Sequence, residues 1–141
     1  FEITSRSSKL RILSGSVAIA EGAIKSGIDL YIAYPMTPST GLLHSLAGKQ
    51  LENGYMVFQA ENEISVVNTA LGSSYAGAKT MIGTSGGGFD LMTEGFSLQG
   101  MNEVPLVVYL ARPCSLQAVE YHCRKPRLGL HTACRHCCCE S

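Results

Sequence analysis

A proline-rich segment at residues 34–40 holds a hydroxyl residue in a position where it could contact a ligand. Thr37 lies between Pro35 and Pro38, and each proline fixes its own φ and pushes its predecessor towards extended backbone. The threonine hydroxyl is therefore kept out of local helix hydrogen bonds. The alternative is a stiff strand-to-helix turn in which Ser39 only caps the next helix.

An acidic segment follows the apolar run at residues 55–59 and contains Glu61 and Glu63. The functional interpretation is a glutamate at the carboxyl end of a strand, in the right place to hold a ligand. The alternative is that the acids only occupy a first helical turn, where the helix macrodipole favours negative charge.

A glycine-rich segment at residues 84–89 begins with Thr84, Ser85 and Gly86. Glycines allow close approach of the backbone, and the N–H groups of a helix N-terminus attract anions. The segment is neither the dinucleotide fingerprint nor a phosphate loop, so a tight turn is the simpler interpretation. Arg112 ends a further apolar run, and it could be a salt-bridge partner or a cationic clamp for an anionic substrate.

Alternating apolar runs and amphipathic stretches predict the elements that position these segments. Strands are predicted at residues 30–34, 55–59, 80–84 and 105–110, and helices at residues 17–26, 39–47, 61–78 and 89–99. The alternation predicts an α/β fold, a doubly wound parallel sheet with helices on both faces. Ligands bind at the carboxyl ends of such strands, and we expect all four segments there.

The composition divides the chain at Pro113. Eleven basic and eleven acidic residues cancel, which gives no reason to expect a nucleic acid or an anionic membrane as a partner. No apolar run approaches the roughly 20 residues of a membrane helix. All six cysteines follow Pro113, and the cysteine-free residues 1–113 predict a cytoplasmic protein.

Six motifs together resemble one family. They are Gly-Ala-Ile-Lys-Ser-Gly (22–27), Tyr-Pro-Met-Thr-Pro-Ser-Thr (34–40), Gln-Ala-Glu-Asn-Glu-Ile (59–64), Thr-Ser-Gly-Gly-Gly-Phe (84–89), Leu-Met-Thr-Glu-Gly (91–95) and Met-Asn-Glu-Val-Pro-Leu-Val (101–107). In order and spacing they are similar to the alpha subunit of 2-oxoacid:ferredoxin oxidoreductases, in particular the 2-oxoglutarate type. The resemblance implies that residues 1–113 are a partial pyrimidine-binding domain of a thiamine diphosphate enzyme, incomplete at the C-terminal side.

The resemblance also implies an activity and roles for individual residues. The family oxidatively decarboxylates a 2-oxoacid to an acyl-CoA with ferredoxin as electron acceptor; 2-oxoglutarate is the expected substrate, and pyruvate, a branched 2-oxoacid or an aryl pyruvate stay open. The family glutamate that matches Glu61 contacts N1′ of the aminopyrimidine and acts in catalysis. The residues that match Thr37 and Arg112 line the 2-oxoacid site. Further residues expected beside the cofactor are Pro35, Ser85 and Gly86.

A beta subunit is the partner that the resemblance implies. The matched region has no Gly-Asp-Gly segment followed by Asn for Mg²⁺ and diphosphate, and no cysteine for an iron–sulfur cluster. Both groups are therefore expected on the beta subunit, with no metal held by this chain. The chain alone is expected to be inactive, because its active site would lie at the interface.

Residues 114–141 do not continue the family pattern. Relatives continue Arg-Pro-Gly-Pro, whereas this chain has Arg-Pro-Cys-Ser from residue 112, and the initiator Met is missing. We expect a shifted reading frame or a mis-joined gene after Pro113. The alternatives are an iron–sulfur extension, or a metal-binding tail that would make the chain a noncatalytic α/β binding module. The candidate ligands of such a tail are His131, Cys134, His136 and Cys137.

Overall fold

A four-stranded parallel sheet with helices on both faces forms the part of the chain that the computed structural model describes, residues 12–111. The strands are β1 (Leu30–Ala33), β2 (Met56–Gln59), β3 (Thr80–Ser85) and β4 (Val107–Ala111). The helices are α1 (Gly15–Lys25), α2 (Thr40–Ala47), α3 (Gln50–Asn53), α4 (Glu63–Tyr75), α5 (Gly86–Leu91) and α6 (Thr93–Asn102). The predicted fold class is confirmed.

The strand order is β2-β1-β3-β4, with β1 inside the sheet. Ala33 of β1 lies opposite Gln59 of β2 on one side and opposite Gly83 of β3 on the other. The chain goes from β1 outward to β2, returns past β1 to β3, and continues to β4. The direction of winding therefore reverses between β1 and β3, which is the switch point where ligands bind in doubly wound sheets.

Two separate cores lie on the two faces of the sheet, because successive side chains of β1 point in opposite directions. Ile32 packs on one face with α4 and with Met92, between α5 and α6. Tyr31 and Ala33 pack on the other face with α1 and α2. The core residues of α4 are Val66, Val67, Ala70 and Leu71, and those of α2 are Leu42, Leu43 and Leu46.

Tyr31 fills space that Gly83 leaves open on the neighbouring strand. A Cβ on Gly83 would lie 1.9 Å from the Tyr31 hydroxyl oxygen, so no other residue fits there without movement of the ring. The hydroxyl is buried and has no hydrogen-bond partner within the described residues. Burial, and secondarily the nearby Tyr109 hydroxyl, raises the pKa of Tyr31 well above its ordinary value. The phenol therefore stays neutral at physiological pH.

Two of the four predicted helices differ from the observed ones by more than two residues at an end. The helix predicted to start at Glu61 starts at Glu63, because Asn62 caps it and its side-chain oxygen accepts a hydrogen bond from the Ser65 amide at 2.8 Å. The helix predicted at residues 89–99 is two helices that meet at Met92, whose side chain is fully buried. By contrast, Gly27 ends α1 as predicted, with φ +72°.

No helix within residues 12–111 has the length and apolar character needed to cross a membrane.

Replacement of Gly95 by alanine tests the close packing of α6 on α4. A Cβ there would lie 2.5 and 2.6 Å from the two Cγ atoms of Val67, which is itself buried. We expect Gly95→Ala to lower the free energy of unfolding by about 1–3 kcal/mol through overpacking, measured by urea denaturation.

Gly100→Ala is the matched control on the same helix, since nothing lies within 4 Å of its Cβ position. It should raise the free energy of unfolding by up to about 1 kcal/mol, because alanine is the better helix former. Equal effects of the two substitutions would contradict the packing described for α4 and α6.

Candidate functional site

The carboxyl ends of β1, β2 and β3 form one edge of the sheet, which we call the carboxyl edge (residues 33–37, 59–61 and 83–86). Ala33, Gln59 and Gly83 lie at the same level across the three strands. Adjacent strands are about 4.8 Å apart, so this row spans about 10 Å. A predicted site residue lies two positions further along the chain from each member of this row. These residues are Pro35, Glu61 and Ser85.

Glu61 lies in a short link between two fixed points. Before it, the amide of buried Ala60 donates to the Ala33 carbonyl at 3.2 Å and extends the β1–β2 pairing. After it, Asn62 caps α4. The Glu61 side chain is exposed, and within residues 12–111 no group makes a hydrogen bond or ion pair with its carboxylate. The carboxylate is thus held at the edge and is open to a ligand.

Thr37 lies at the tip of a tight turn that follows β1. The Met36 carbonyl accepts hydrogen bonds from the Ser39 amide and the Ser39 hydroxyl, both at 2.7 Å. The peptide bond between Thr37 and Pro38 is cis. Thr37 itself is exposed, and Pro35 is half-buried. The prediction that the Ser39 side chain caps α2 is wrong, because its hydroxyl accepts no bond from the α2 amides and only donates to the Met36 carbonyl.

Ser85 joins the turn after β1 to the end of β3. Its side chain is buried, and its hydroxyl contacts the sulfur of Met36. Gly86, the next residue, is exposed and begins α5. The two loops that leave the sheet at the switch point are therefore in direct contact. Four predicted site residues share this region, namely Pro35, Thr37, Ser85 and Gly86.

The glycine run is helical, which corrects the expected tight turn. Gly86, Gly87 and Gly88 form the first turn of α5. Gly88 is buried, and a Cβ on it would lie 2.3 Å from the Thr84 hydroxyl oxygen and 2.9 Å from Oε1 of Glu63. Glycine is needed at position 88 because two other side chains occupy the space beside it.

Glu63, the first residue of α4, follows the edge residue Glu61 closely and has no role predicted from the sequence. It is only 5% exposed, whereas Glu61 is exposed, so the two acids of one segment have different environments. A pattern in the sequence could have revealed this. Glu63 precedes Val66, Val67 and Ala70 by three, four and seven residues, which places it on the buried face of α4.

Arg112 directly follows Ala111, the last residue of β4, which lies opposite Ser85. Arg112 and residues 113–141 are outside the described residues, and so is the candidate Cys/His metal tail. The substrate role of Arg112, the metal-binding tail and the division at Pro113 stay predictions. Within residues 12–111, no three His, Cys, Asp or Glu side chains come together as a metal site would require.

A groove of about 360 Å³ between α4 and the α5–α6 pair is separate from the carboxyl edge. Its lining includes the exposed side chains of Ile64, Leu91, Leu98 and Met101. None of the predicted site residues lines it, so the groove and the candidate site are different surfaces.

Comparison with known families identifies the chain. Residues 21–124 match the family described as "Pyruvate flavodoxin/ferredoxin oxidoreductase, thiamine diP-bdg", and this range includes the whole carboxyl edge. The chain belongs to this family. The resemblance read from the six motifs is confirmed, and the match continues eleven residues past Pro113.

Curated relatives carry names of the same family. The chain is 36% identical over 101 residues to the 2-oxoglutarate synthase subunit KorA of Archaeoglobus fulgidus, covering 72% of this chain and 29% of that protein. It is 39% identical over 100 residues to the subunit of the same name in Methanocaldococcus jannaschii, covering 71% and 27%. The chain thus spans less than a third of the length of these relatives.

A solved structure has the same fold. It is a 2-oxoglutarate:ferredoxin oxidoreductase from Magnetococcus marinus with 2-oxoglutarate, coenzyme A and succinyl-CoA bound. The TM-score is 0.69 at 37% identity, covering 71% of this chain and 18% of that chain.

Gly88→Ala tests the packing beneath this edge. The new methyl group would overlap the Thr84 hydroxyl and the Glu63 side chain, both of which are buried. We expect a loss of about 1–3 kcal/mol in the free energy of unfolding, which urea denaturation measures.

Gly87→Ala, at the preceding position of α5, has no atom within 4 Å of its Cβ. It should be neutral or stabilise by up to about 1 kcal/mol. If Gly88→Ala were as well tolerated as Gly87→Ala, the contact of α5 with Glu63 would be wrong.

Proposed function

We propose that this chain is part of the alpha subunit of a 2-oxoacid:ferredoxin oxidoreductase and binds the aminopyrimidine end of thiamine diphosphate. The observation that carries the proposal is the exposed Glu61 carboxylate at the carboxyl end of β2. It lies within the matched thiamine diphosphate-binding region, beside the switch point between β1 and β3.

The residues at the carboxyl edge fit an aminopyrimidine ring. The Glu61 carboxylate makes no hydrogen bond or ion pair with the rest of residues 12–111, so it is available to a ring nitrogen. Pro35 supplies a half-buried ring and Gly86 an exposed backbone without a side chain close by, while the buried Ser85 hydroxyl contacts Met36 of the neighbouring loop. The edge is about 10 Å long, which is enough for a small heterocycle and an adjacent substrate.

Glu61 would act on protons at the cofactor. When bound, thiamine diphosphate supplies the nucleophilic carbon and the electron sink needed to cleave the bond between C1 and C2 of a 2-oxoacid. Glu61 would hold a proton at N1′ of the aminopyrimidine and so support proton transfer by that ring. The cap at Asn62 keeps this carboxylate at the edge during the reaction.

Thr37 and Arg112 would bind the 2-oxoacid. The Arg112 guanidinium can donate two parallel hydrogen bonds to a carboxylate, and the Thr37 hydroxyl can donate to the same end of the substrate. In the complete reaction the carboxyl carbon leaves as CO₂, the remaining acyl group bonds to the sulfur of coenzyme A as the thiol gives up its proton, and the two released electrons reduce ferredoxin. We propose 2-oxoglutarate as the 2-oxoacid, since the relatives that act on it share 36–39% identity with this chain.

A beta subunit would complete the site. We assign Mg²⁺, the diphosphate contacts and the iron–sulfur clusters to that partner, because residues 13–113 contain neither the Gly-Asp-Gly segment nor a cysteine. The exposure of Glu61, Thr37 and Gly86 supports a site that a second protein surface covers.

Glu61→Gln tests the proton role. In an enzyme assembled from the full-length subunit and its partner, we expect kcat to fall at least about 100-fold, because the amide cannot hold the proton. Turnover is measured as the rate of ferredoxin reduction. Glu52→Gln, on α3 just before the amino end of β2, is the matched control and should leave kcat unchanged. Near-normal turnover of Glu61→Gln would contradict the role of Glu61.

Arg112→Gln and Thr37→Val test the substrate roles. Loss of a charge-assisted hydrogen bond of about 1.5–3 kcal/mol should raise KM for 2-oxoglutarate at least about tenfold in Arg112→Gln. Thr37→Val should raise it by a smaller factor, and steady-state kinetics of the assembled enzyme measure both. Lys25→Gln, at the end of α1, is the control and should leave KM unchanged. An unchanged KM in Arg112→Gln would rule out the clamp.

A further inference from the structure

A buried carboxylate beneath the carboxyl edge, that of Glu63, has no part in the proposed function. The residue is 5% exposed, and its Oε1 has no hydrogen-bond partner among the described residues. The N-terminus of α4 partly stabilises the negative charge. Even so, a buried oxygen without a partner is costly, so a carboxylate at this position requires an explanation.

A hydroxyl donor that makes only a poor bond lies near this acceptor, and the two oxygens are not hydrogen-bonded to each other. Thr84 Oγ1 and Glu63 Oε1 both lie within 2.9 Å of the point that a Gly88 Cβ would occupy. Thr84 is 2% exposed, and its hydroxyl donates to the Ser85 carbonyl at 3.4 Å. Such bonds between oxygens are usually about 2.8 Å long, so this one is weak. We call Glu63, Thr84 and Gly88 the Glu63 cluster.

The Glu63 cluster connects the two segments that carry the candidate cofactor residues. Glu63 starts α4 directly after the Glu61 link, and Thr84 precedes Ser85 and Gly86 at the end of β3. We propose that Glu63 is a positioning residue for cofactor binding. When thiamine diphosphate occupies the edge, Glu63 accepts the Thr84 hydroxyl proton in a hydrogen bond and thereby fixes Ser85 and Gly86 relative to Glu61.

This inference rests on the proposed function and adds a residue to it. It concerns the acceptor oxygen, not the bulk of the side chain. A methionine at position 63 is unbranched and of similar length, and it would fill the same space with only a weak acceptor. A glutamine keeps an acceptor oxygen at the same place. The two substitutions therefore separate packing from hydrogen bonding.

The test uses the assembled enzyme, freed of cofactor and titrated with thiamine diphosphate and Mg²⁺ in a calorimeter. We expect Glu63→Met to raise the Kd of thiamine diphosphate at least about tenfold, in line with the loss of one charge-assisted hydrogen bond. At saturating cofactor its kcat should stay near that of the wild type. Glu63→Gln keeps an acceptor oxygen but loses the charge, so its Kd should lie between those of the wild type and Glu63→Met, with kcat near that of the wild type.

A double-mutant cycle assigns the effect to the Thr84 hydroxyl. Thr84→Val removes the donor at nearly constant shape and should raise Kd as much as Glu63→Met does, whereas Thr84→Ser should bind like the wild type. The variant that combines Glu63→Met with Thr84→Val should bind no more weakly than either single variant, since both remove the same bond. If Glu63→Met fails to assemble, the comparison of Thr84→Val with Thr84→Ser still decides the question.

Several outcomes would overturn the inference. If the double variant raises Kd by the product of the two single-variant factors, Glu63 and Thr84 do not share a bond. A lower kcat with unchanged Kd in Glu63→Met would show that Glu63 does not act on cofactor binding. A wild-type enzyme that does not bind thiamine diphosphate would refute the proposed function itself, whereas normal binding by both the wild type and Glu63→Met would refute only the role of Glu63.

Discussion

The pairing of β1 with β3 is the interaction on which the rest of the structure depends. It places Ala33 opposite Gly83, and the bare backbone of Gly83 lets the Tyr31 ring lie across the neighbouring strand. With β1 held between β2 and β3, three strand ends come to one level. The reversal of winding at the same pair sends the following helices to opposite faces and leaves the carboxyl edge open between them.

The chemistry at this edge comes from short links held by fixed neighbours. Glu61 lies between Ala60, which extends the β1–β2 pairing, and Asn62, which caps α4. Thr37 lies on a turn whose base is fixed by hydrogen bonds from Ser39 to Met36. Rigid elements on both sides position these side chains, while the side chains themselves remain exposed. An edge built in this way suits a ligand that a second surface also contacts.

Much of this arrangement could be predicted from the sequence, because hydrophobic periodicity and the positions of glycine and proline are local signals. The four strands, the parallel sheet and the end of α1 at Gly27 followed from apolar runs, alternation and a single glycine. The order β2-β1-β3-β4 could not be predicted, since it depends on contacts between distant segments. The rule that ligands bind at the carboxyl ends of parallel strands predicted that the segments of Glu61, Thr37 and Ser85 share one edge, but the direct contact of Ser85 with Met36 has no sequence signal.

The errors have physical causes that involve competing partners. Ser39 was expected to cap α2, yet its backbone is already helical, its hydroxyl accepts no bond from the α2 amides, and it donates to the Met36 carbonyl. The glycines at 86–88 were expected in a tight turn because the segment matches neither the dinucleotide fingerprint nor a phosphate loop, yet they form the first turn of α5. Glu63 was grouped with Glu61 because both are acids, although helical spacing places Glu63 with the core of α4.

The three glycines that begin α5 also have a thermodynamic consequence. A glycine in a helix costs about 1 kcal/mol relative to alanine, and α5 has three glycines in six residues. Its intrinsic tendency is to unfold, and its order depends on tertiary contacts such as that of Gly88 with Glu63. Local folding of this segment and binding at the carboxyl edge are then linked equilibria, so a ligand that contacts Gly86 also stabilises the helix behind it.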